Sequence, residues 1–268
     1  MDKDILEDII AHKRIEIAQQ QQMVSAEQLE NKLCELEEDG EQYVPRSMKQ
    51  HLSQSATGII AEFKRRSPSK GWINREADSN LIPLAYEQAG ASALSILTDE
   101  KFFGGTLKDI RQARTKVTLP ILRKDFVIDR YQLLQAKTVS ADVVLLIAAA
   151  LTPKLCRDLA QEAHKLNLEV LLEIHSEQEL DHVNEAVDMV GVNNRNLGTF
   201  HTDVANSFRL AEKLPKEFLL VSESGLSNPD TVSQLRQAGF RGFLIGEAFM
   251  KTESPGKALA DFIRDIRP

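Results

Sequence analysis

The chain has 268 residues, 42% of them hydrophobic, and a formal net charge of −7. That length and apolar content can fill one large core, and an α/β barrel of ~250 residues fits them. The acidic balance, without a long basic block, argues against a nucleic-acid backbone as partner. Cys34 and Cys156 lie far apart with no CxxC spacing, so they read as reduced thiols of a cytoplasmic protein rather than a disulfide or zinc framework. The N-terminus, Met1-Asp2-Lys3-Asp4, is charged and then amphipathic, unlike a secretory leader. The longest apolar run, Val143 to Leu151, is too short to span a bilayer, so no membrane partner is expected.

In chain order, residues 5–37 read as helical, with Ile5, Ile9 and Ile10 at helix spacing. Gly40 to Ser55, with Pro45 and few apolar residues, reads as loop. From Ile59 the pattern becomes regular. Strands are expected near 59–64, 93–98, 120–124, 142–147, 168–173, 189–193, 218–223 and 242–246. Helices are expected near 79–89, 106–115, 130–139, 153–166, 177–186, 202–213, 229–238 and 255–265. Thr152-Pro153 and Asn228-Pro229 pair an N-cap with proline at the first helical position. Ser176 and Glu179 have capping-box spacing, and Gly90 and Gly239 stand where helices stop. Eight alternating units predict a parallel sheet closed as a (β/α)8 TIM barrel, with residues 1–268 as one domain and 1–55 as its N-terminal helical extension. An open doubly wound sheet is the rival. The first strand is not followed by GxGxxG, which weakens that rival.

The apolar runs stop in charge. Side chains alternate along a strand, so Ile60 shares a face with Glu62 and Lys64, Leu122 with Lys124, Leu171 with Glu173, and Val221 with Glu223. These residues belong to the first, third, fifth and seventh strands, and alternate strands fill one layer of a barrel. Asn193 and Arg195 end the sixth strand. Each charge alone reads as a solvated strand end or half of an ion pair. Together, with matched phase, they read as a cluster for acid–base chemistry at the mouth.

Ser224-Gly225 follows the seventh strand and Gly246-Glu247 the eighth, where barrels of this kind commonly bind phosphate. Simple turns are the plainer reading of those glycines. The Glu247 carboxylate would repel phosphate, leaving only its backbone N–H to help, and Ser67 offers a hydroxyl from the opposite side. Phe102-Phe103-Gly104-Gly105 reads as a flexible aromatic loop at the rim. The six histidines show no ligand spacing and read as surface or capping residues, so no metal is expected.

Through IIAEFKRRSPSKG (59–71), SILTDEKFFGG (95–105), PILRKDFVID (120–129), LLEIHSEQEL (171–180), GVNNRNLGTF (191–200), VSESGLS (221–227) and FLIGEAFM (243–250), the chain resembles the indole-3-glycerol phosphate synthase family. With no second barrel after Pro268, the resemblance is to the monofunctional form. It implies ring closure of 1-(2-carboxyphenylamino)-1-deoxyribulose 5-phosphate, with loss of CO₂ and water and without a cofactor. It also implies site roles. Lys124 would be general acid on the ribulose carbonyl, and Glu173 base or acid in dehydration. Lys64 would bind the substrate carboxylate and donate a proton in dehydration. Glu62, Asn193 and Glu223 would position lysines and substrate hydroxyls, and Arg195 would hold the carboxylate region. Ser67, Ser224, Gly225, Gly246 and Glu247 would bind phosphate, and Phe103 and Phe126 would line the anthranilate pocket. The expected partner is a small phosphorylated substrate and the expected assembly a monomer. A sugar-phosphate isomerase, a Schiff-base aldolase or a barrel kept as a scaffold remain as alternatives. The extension is expected to serve substrate binding more than barrel stability, so truncation to about Ser55 should leave a folded barrel.

Overall fold

The computed structural model describes residues 5–38, 46–196 and 198–266. Residues 1–4, Leu197, Pro268 and the 40–45 part of the expected loop lie outside the described residues. Eight parallel strands form the barrel. They are β1 (Ile59–Phe63), β2 (Ala93–Leu97), β3 (Ile121–Lys124), β4 (Val143–Ile147), β5 (Glu169–Ile174), β6 (Met189–Asn193), β7 (Leu219–Glu223) and β8 (Phe240–Ile245). The ring closes where β1 pairs with β8, Ile59 opposite Phe243 and Ile60 opposite Leu244, which rules out the open sheet.

Strand phase separates two cores. Ile60, Leu122, Leu171 and Val221 pack inside the barrel, as the alternation predicts. Their neighbours Ile59, Ile121, Leu172 and Leu220 face outward, against the surrounding helices. Those helices include α4 (Ile82–Gln88), α6 (Leu107–Arg114), α7 (Arg130–Thr138), α8 (Pro153–Lys165), α9 (Ala205–Ala211), α10 (Pro229–Gln237) and α12 (Pro255–Asp265). Thr152 caps α8 by accepting from the Leu155 N–H, and Asn228 caps α10 by accepting from the Asp230 N–H. The segment after β5 departs from expectation. Glu177–His182 is a 3₁₀ turn, and the Ser176 side chain makes no cap bond. The Glu179 carboxylate instead accepts from the His175 N–H at 2.5 Å, so the capping box does not form.

The extension also differs from one helix and a loop. It breaks into α1 (Ile5–Met23) and α2 (Ala26–Glu38). Ser25 and Gln28 form the break, each side chain accepting from the other's backbone N–H at 3.2 and 2.8 Å. Within the expected loop, Met48–Gln54 is a third helix, α3. Its first turn is held by Glu169, which accepts from the Met48 and Lys49 N–H groups at 2.7 and 3.1 Å, at the start of β5. Asp142, just before β4, accepts from the Arg46 N–H at 2.8 Å. Met48 and Leu52 are fully buried against the barrel interior, so α3 plugs the N-terminal end.

That plug changes the truncation expected from sequence. Losing one buried Met or Leu costs ~2–5 kcal/mol, and two such losses rival the ~5–15 kcal/mol stability of a whole domain. A chain starting at residue 56 should therefore be less stable than one starting at 46 by at least ~2 kcal/mol, the cost of one such buried residue. Thermal melts of both chains check this. Equal cooperative melts would show that α3 is dispensable.

Candidate active site

A cavity of about 350 Å³ opens at the C-terminal ends of the strands. Ile5, Leu6 and Ile9 of α1 cover part of it from above. The strands supply Glu62, Lys124, Glu173, Asn193 and Glu223 to its wall, and the following loops supply Lys64, Ser67, Phe126, Arg195, Ser224, Gly225 and Gly246. Phe103 and Glu247 reach it from two short helices, α5 (Glu100–Phe103) and α11 (Glu247–Met250). The structure thus brings together all the residues the sequence marked.

Lys124 is the centre of the charge layer. Its Nζ lies 2.6 Å from Glu173 Oε2 and 2.9 Å from Glu223 Oε2. Burial disfavours its charge, but Glu173, Glu223 and Glu62 outweigh burial and hold its pKa above the usual lysine value. The two carboxylates beside it differ. Burial raises Glu173, yet Lys124 and then His175 hold it well below the carboxylate range. Its Oε1 also accepts from Asn193 Nδ2 at 3.0 Å. Burial pushes Glu223 up to about 7; Lys124 pulls the other way and the Glu173 charge adds to the rise. The two carboxylates around one ammonium are thus driven apart, one held ionised and the other raised, an arrangement suited to acid–base chemistry. The second lysine, Lys64, pairs with Glu62 Oε1 at 2.6 Å.

Two glycines make room for these carboxylates. A Cβ on Gly191 would stand 2.2 Å from Glu223 Oε1, and one on Gly246 would stand 2.5 Å from Glu62 Oε1. A side chain at Gly246 would therefore disturb Glu62 and Lys64 as well as any anion near the loop.

Phe103 and Phe126 wall one side, their ring centroids 6.0 Å apart. The Phe102–Gly105 stretch is not a loose loop. Asp99 caps the turn of α5 by accepting from the Phe102 N–H at 2.7 Å, and Gly104 ends it with φ 67°. Across the cavity, Ser224 and Gly225 both take left-handed backbone, with φ 67° and 76°. Arg195 stands 3.3 Å from Ser69 Oγ and 3.9 Å from the Glu247 carboxylate.

Sequence reasoning missed four residues. Lys251 brings a further amine to the cavity beside Gly246. His175 is half-buried with its ring against Glu173, and His182 is buried with Nε2 2.9 Å from the Leu151 carbonyl, so neither is a surface histidine. Lys13 of α1 is fully buried, 2.9 Å from Asp99 and 3.0 Å from Asp125. Asp125 adjoins Lys124, and Asp99 caps the helix that carries Phe103. One lysine thus ties the extension to two loops of the mouth.

A closed parallel barrel with amines and carboxylates converging at its C-terminal mouth defines a TIM-barrel enzyme built for acid–base work on a small molecule. Comparison with known proteins makes this specific. The family model described as indole-3-glycerol phosphate synthase matches residues 6–262. A protein of that name from Bacteroides thetaiotaomicron is 62% identical over 265 residues, covering 99% of this chain and all of the relative. The chain belongs to the indole-3-glycerol phosphate synthase family, a family of carboxy-lyases.

Proposed function

We propose that the cavity closes the indole ring of 1-(2-carboxyphenylamino)-1-deoxyribulose 5-phosphate by three proton transfers between its side chains and the substrate. The observation that carries this reading is the Lys124 ammonium between an ionised Glu173 and a Glu223 near its titration point. Lys124 gives its proton to the ribulose carbonyl oxygen as the carboxylate-bearing ring carbon attacks the carbonyl carbon. The ring carboxylate then leaves as CO₂, and its electron pair restores aromaticity. In dehydration Lys64 protonates the departing hydroxyl, and Glu173 takes the proton lost as the pyrrole double bond forms. Glu62 holds Lys64, Asn193 holds Glu173, and Glu223 holds Lys124. Arg195 and Lys64 receive the anthranilate carboxylate, with Phe103 and Phe126 against its ring. Electrons balance within the substrate, so the chemistry calls for no redox cofactor.

Ser67, Ser224, Gly225, Gly246 and the Glu247 backbone are assigned to the phosphate. The Glu247 side chain opposes that anion, so Glu247→Ser should lower the inhibition constant of inorganic phosphate about two- to fivefold, the size of an exposed charge interaction. An unchanged constant would place the phosphate elsewhere. The chain is read as one catalytic domain, residues 1–268 with 1–55 as extension, working as a cytoplasmic monomer without nucleic acid.

The test is Glu173→Gln in single turnover. The amide keeps the shape but cannot exchange a proton. CO₂ release should persist while the rise of indole absorbance is lost or slowed ~10²–10⁴-fold. Both steps at wild-type rate would make Glu173 merely structural.

A further inference from the structure

We propose that His175 is a positioning residue for the dehydration step, holding Glu173 from behind as an imidazolium so that Glu173 keeps a counter-charge once Lys124 has given up its proton. His175 Nε2 lies 3.2 Å from Glu173 Oε1, and Nδ1 lies 3.4 Å from Glu179 Oε2. A neutral ring carries one N–H and would turn a lone pair toward one of these carboxylates. Facing one on each side, the ring needs both protons. The contacts are ion pairs without full hydrogen-bond alignment, so charge rather than direction ties the three groups.

The backbone that carries the ring is pinned on both sides. The His175 N–H donates to Glu179 Oε2 at 2.5 Å, and its carbonyl accepts from Asn206 Nδ2 of α9 at 2.9 Å. Among the described residues, the charged groups facing it are Glu173 near the end of β5 and Glu179 in the turn that follows. Asn206 of α9 and Asn193 of β6 add neutral amides. Burial favours the neutral ring, but the two carboxylates outweigh it and raise its pKa to about 10. The charge is therefore present through neutral pH and lost only as pH rises toward that value.

This inference rests on the roles proposed for Lys124 and Glu173. When Lys124 gives its proton to the carbonyl oxygen, it becomes neutral and Glu173 loses its nearest counter-charge. His175 does not take part in that transfer, so Glu173 keeps one cation and stays ionised for dehydration.

His175→Gln keeps a donor near Glu173 but removes the charge. The acid limb of kcat should move up by about one to three pH units, as for a carboxylate losing a nearby cation. KM should stay within about twofold, since the ring is not among the substrate-lining groups. A purely structural role would lower kcat equally at all pH values. Histidine ¹⁵N spectra of the wild-type enzyme give a second reading that does not depend on the variant's folding. The His175 signal, identified by its response to Glu179→Gln, should show both nitrogens protonated at pH 7.5. A neutral ring at that pH, or an unshifted profile in folded His175→Gln, would overturn the proposal. If Glu173→Gln is inactive while His175→Gln is unshifted, only the His175 role fails. If Glu173→Gln is fully active, the Glu173 assignment itself fails.

Discussion

Lys124→Ala lowers kcat ~10²–10⁴-fold, the range for losing one general acid, and leaves the barrel folded. Among the described residues no other amine pairs with both Glu173 and Glu223, and Lys64 is held by Glu62 instead. Removing the ammonium leaves two buried carboxylates facing each other. The cost is limited because Glu223, already raised to about 7, takes up a proton. A carboxyl raised in the folded state stabilises most below its unfolded value near 4.5, and that contribution fades as pH rises through about 7. The variant should therefore melt close to wild type at pH 6 and worse at pH 8. Steady-state kinetics with melts at both pH values check this. Turnover within a few-fold of wild type would remove Lys124 from the role of acid.

Lys13→Met costs about 3–5 kcal/mol, the penalty for leaving buried carboxylates without their cation. Lys13 is fully buried, and Asp99 and Asp125 are buried with it. Arg123 Nη2 remains on Asp125 at 2.9 Å, so Asp99 bears most of the loss. The pH dependence has a definite sign. In the wild type, burial would raise Asp125, but Lys13 and then Arg123 hold it far below its ordinary value. Its contribution is therefore present above the unfolded value near 3.8 and lost as pH falls below it. In the variant the carboxylates shift upward and bind protons in the folded state, so the deficit should shrink between pH 7 and pH 5. Urea unfolding at the two pH values measures it. A deficit under about 1 kcal/mol at pH 7 would show that the buried triad is not what fastens α1. KM should rise as well, because α1 lines the cavity and Asp99 sets the helix carrying Phe103.

The barrel was legible because each strand is a short apolar run of fixed phase, and phase alone decides which residues face inward. That rule carried Glu62, Lys124, Glu173 and Glu223 into one layer. Carried two residues further along β5, it also places His175 beside Glu173, as it places Lys64 beside Glu62. Lys13 left a similar trace. It occupies the buried stripe of α1, between Ile10 and Ile17, where an apolar residue is the norm. The α3 plug left almost none. Met48 and Leu52 are two apolar residues in a polar stretch, and the carboxylate that holds the first turn of their helix, Glu169, lies 121 residues away from Met48. The room that Gly191 leaves for Glu223 is likewise a contact between strands, with no local signature.

Ring closure and dehydration by proton transfer alone at this layer of amines and carboxylates have a stoichiometric signature. The most direct measurement is to incubate the wild-type protein with 1-(2-carboxyphenylamino)-1-deoxyribulose 5-phosphate, following indole absorbance and released CO₂ together, with borohydride added in a parallel sample. One CO₂ per indole formed and no substrate trapped on Lys124 is the expected result. Absence of indole, or a reduced Schiff base on Lys124, would contradict it.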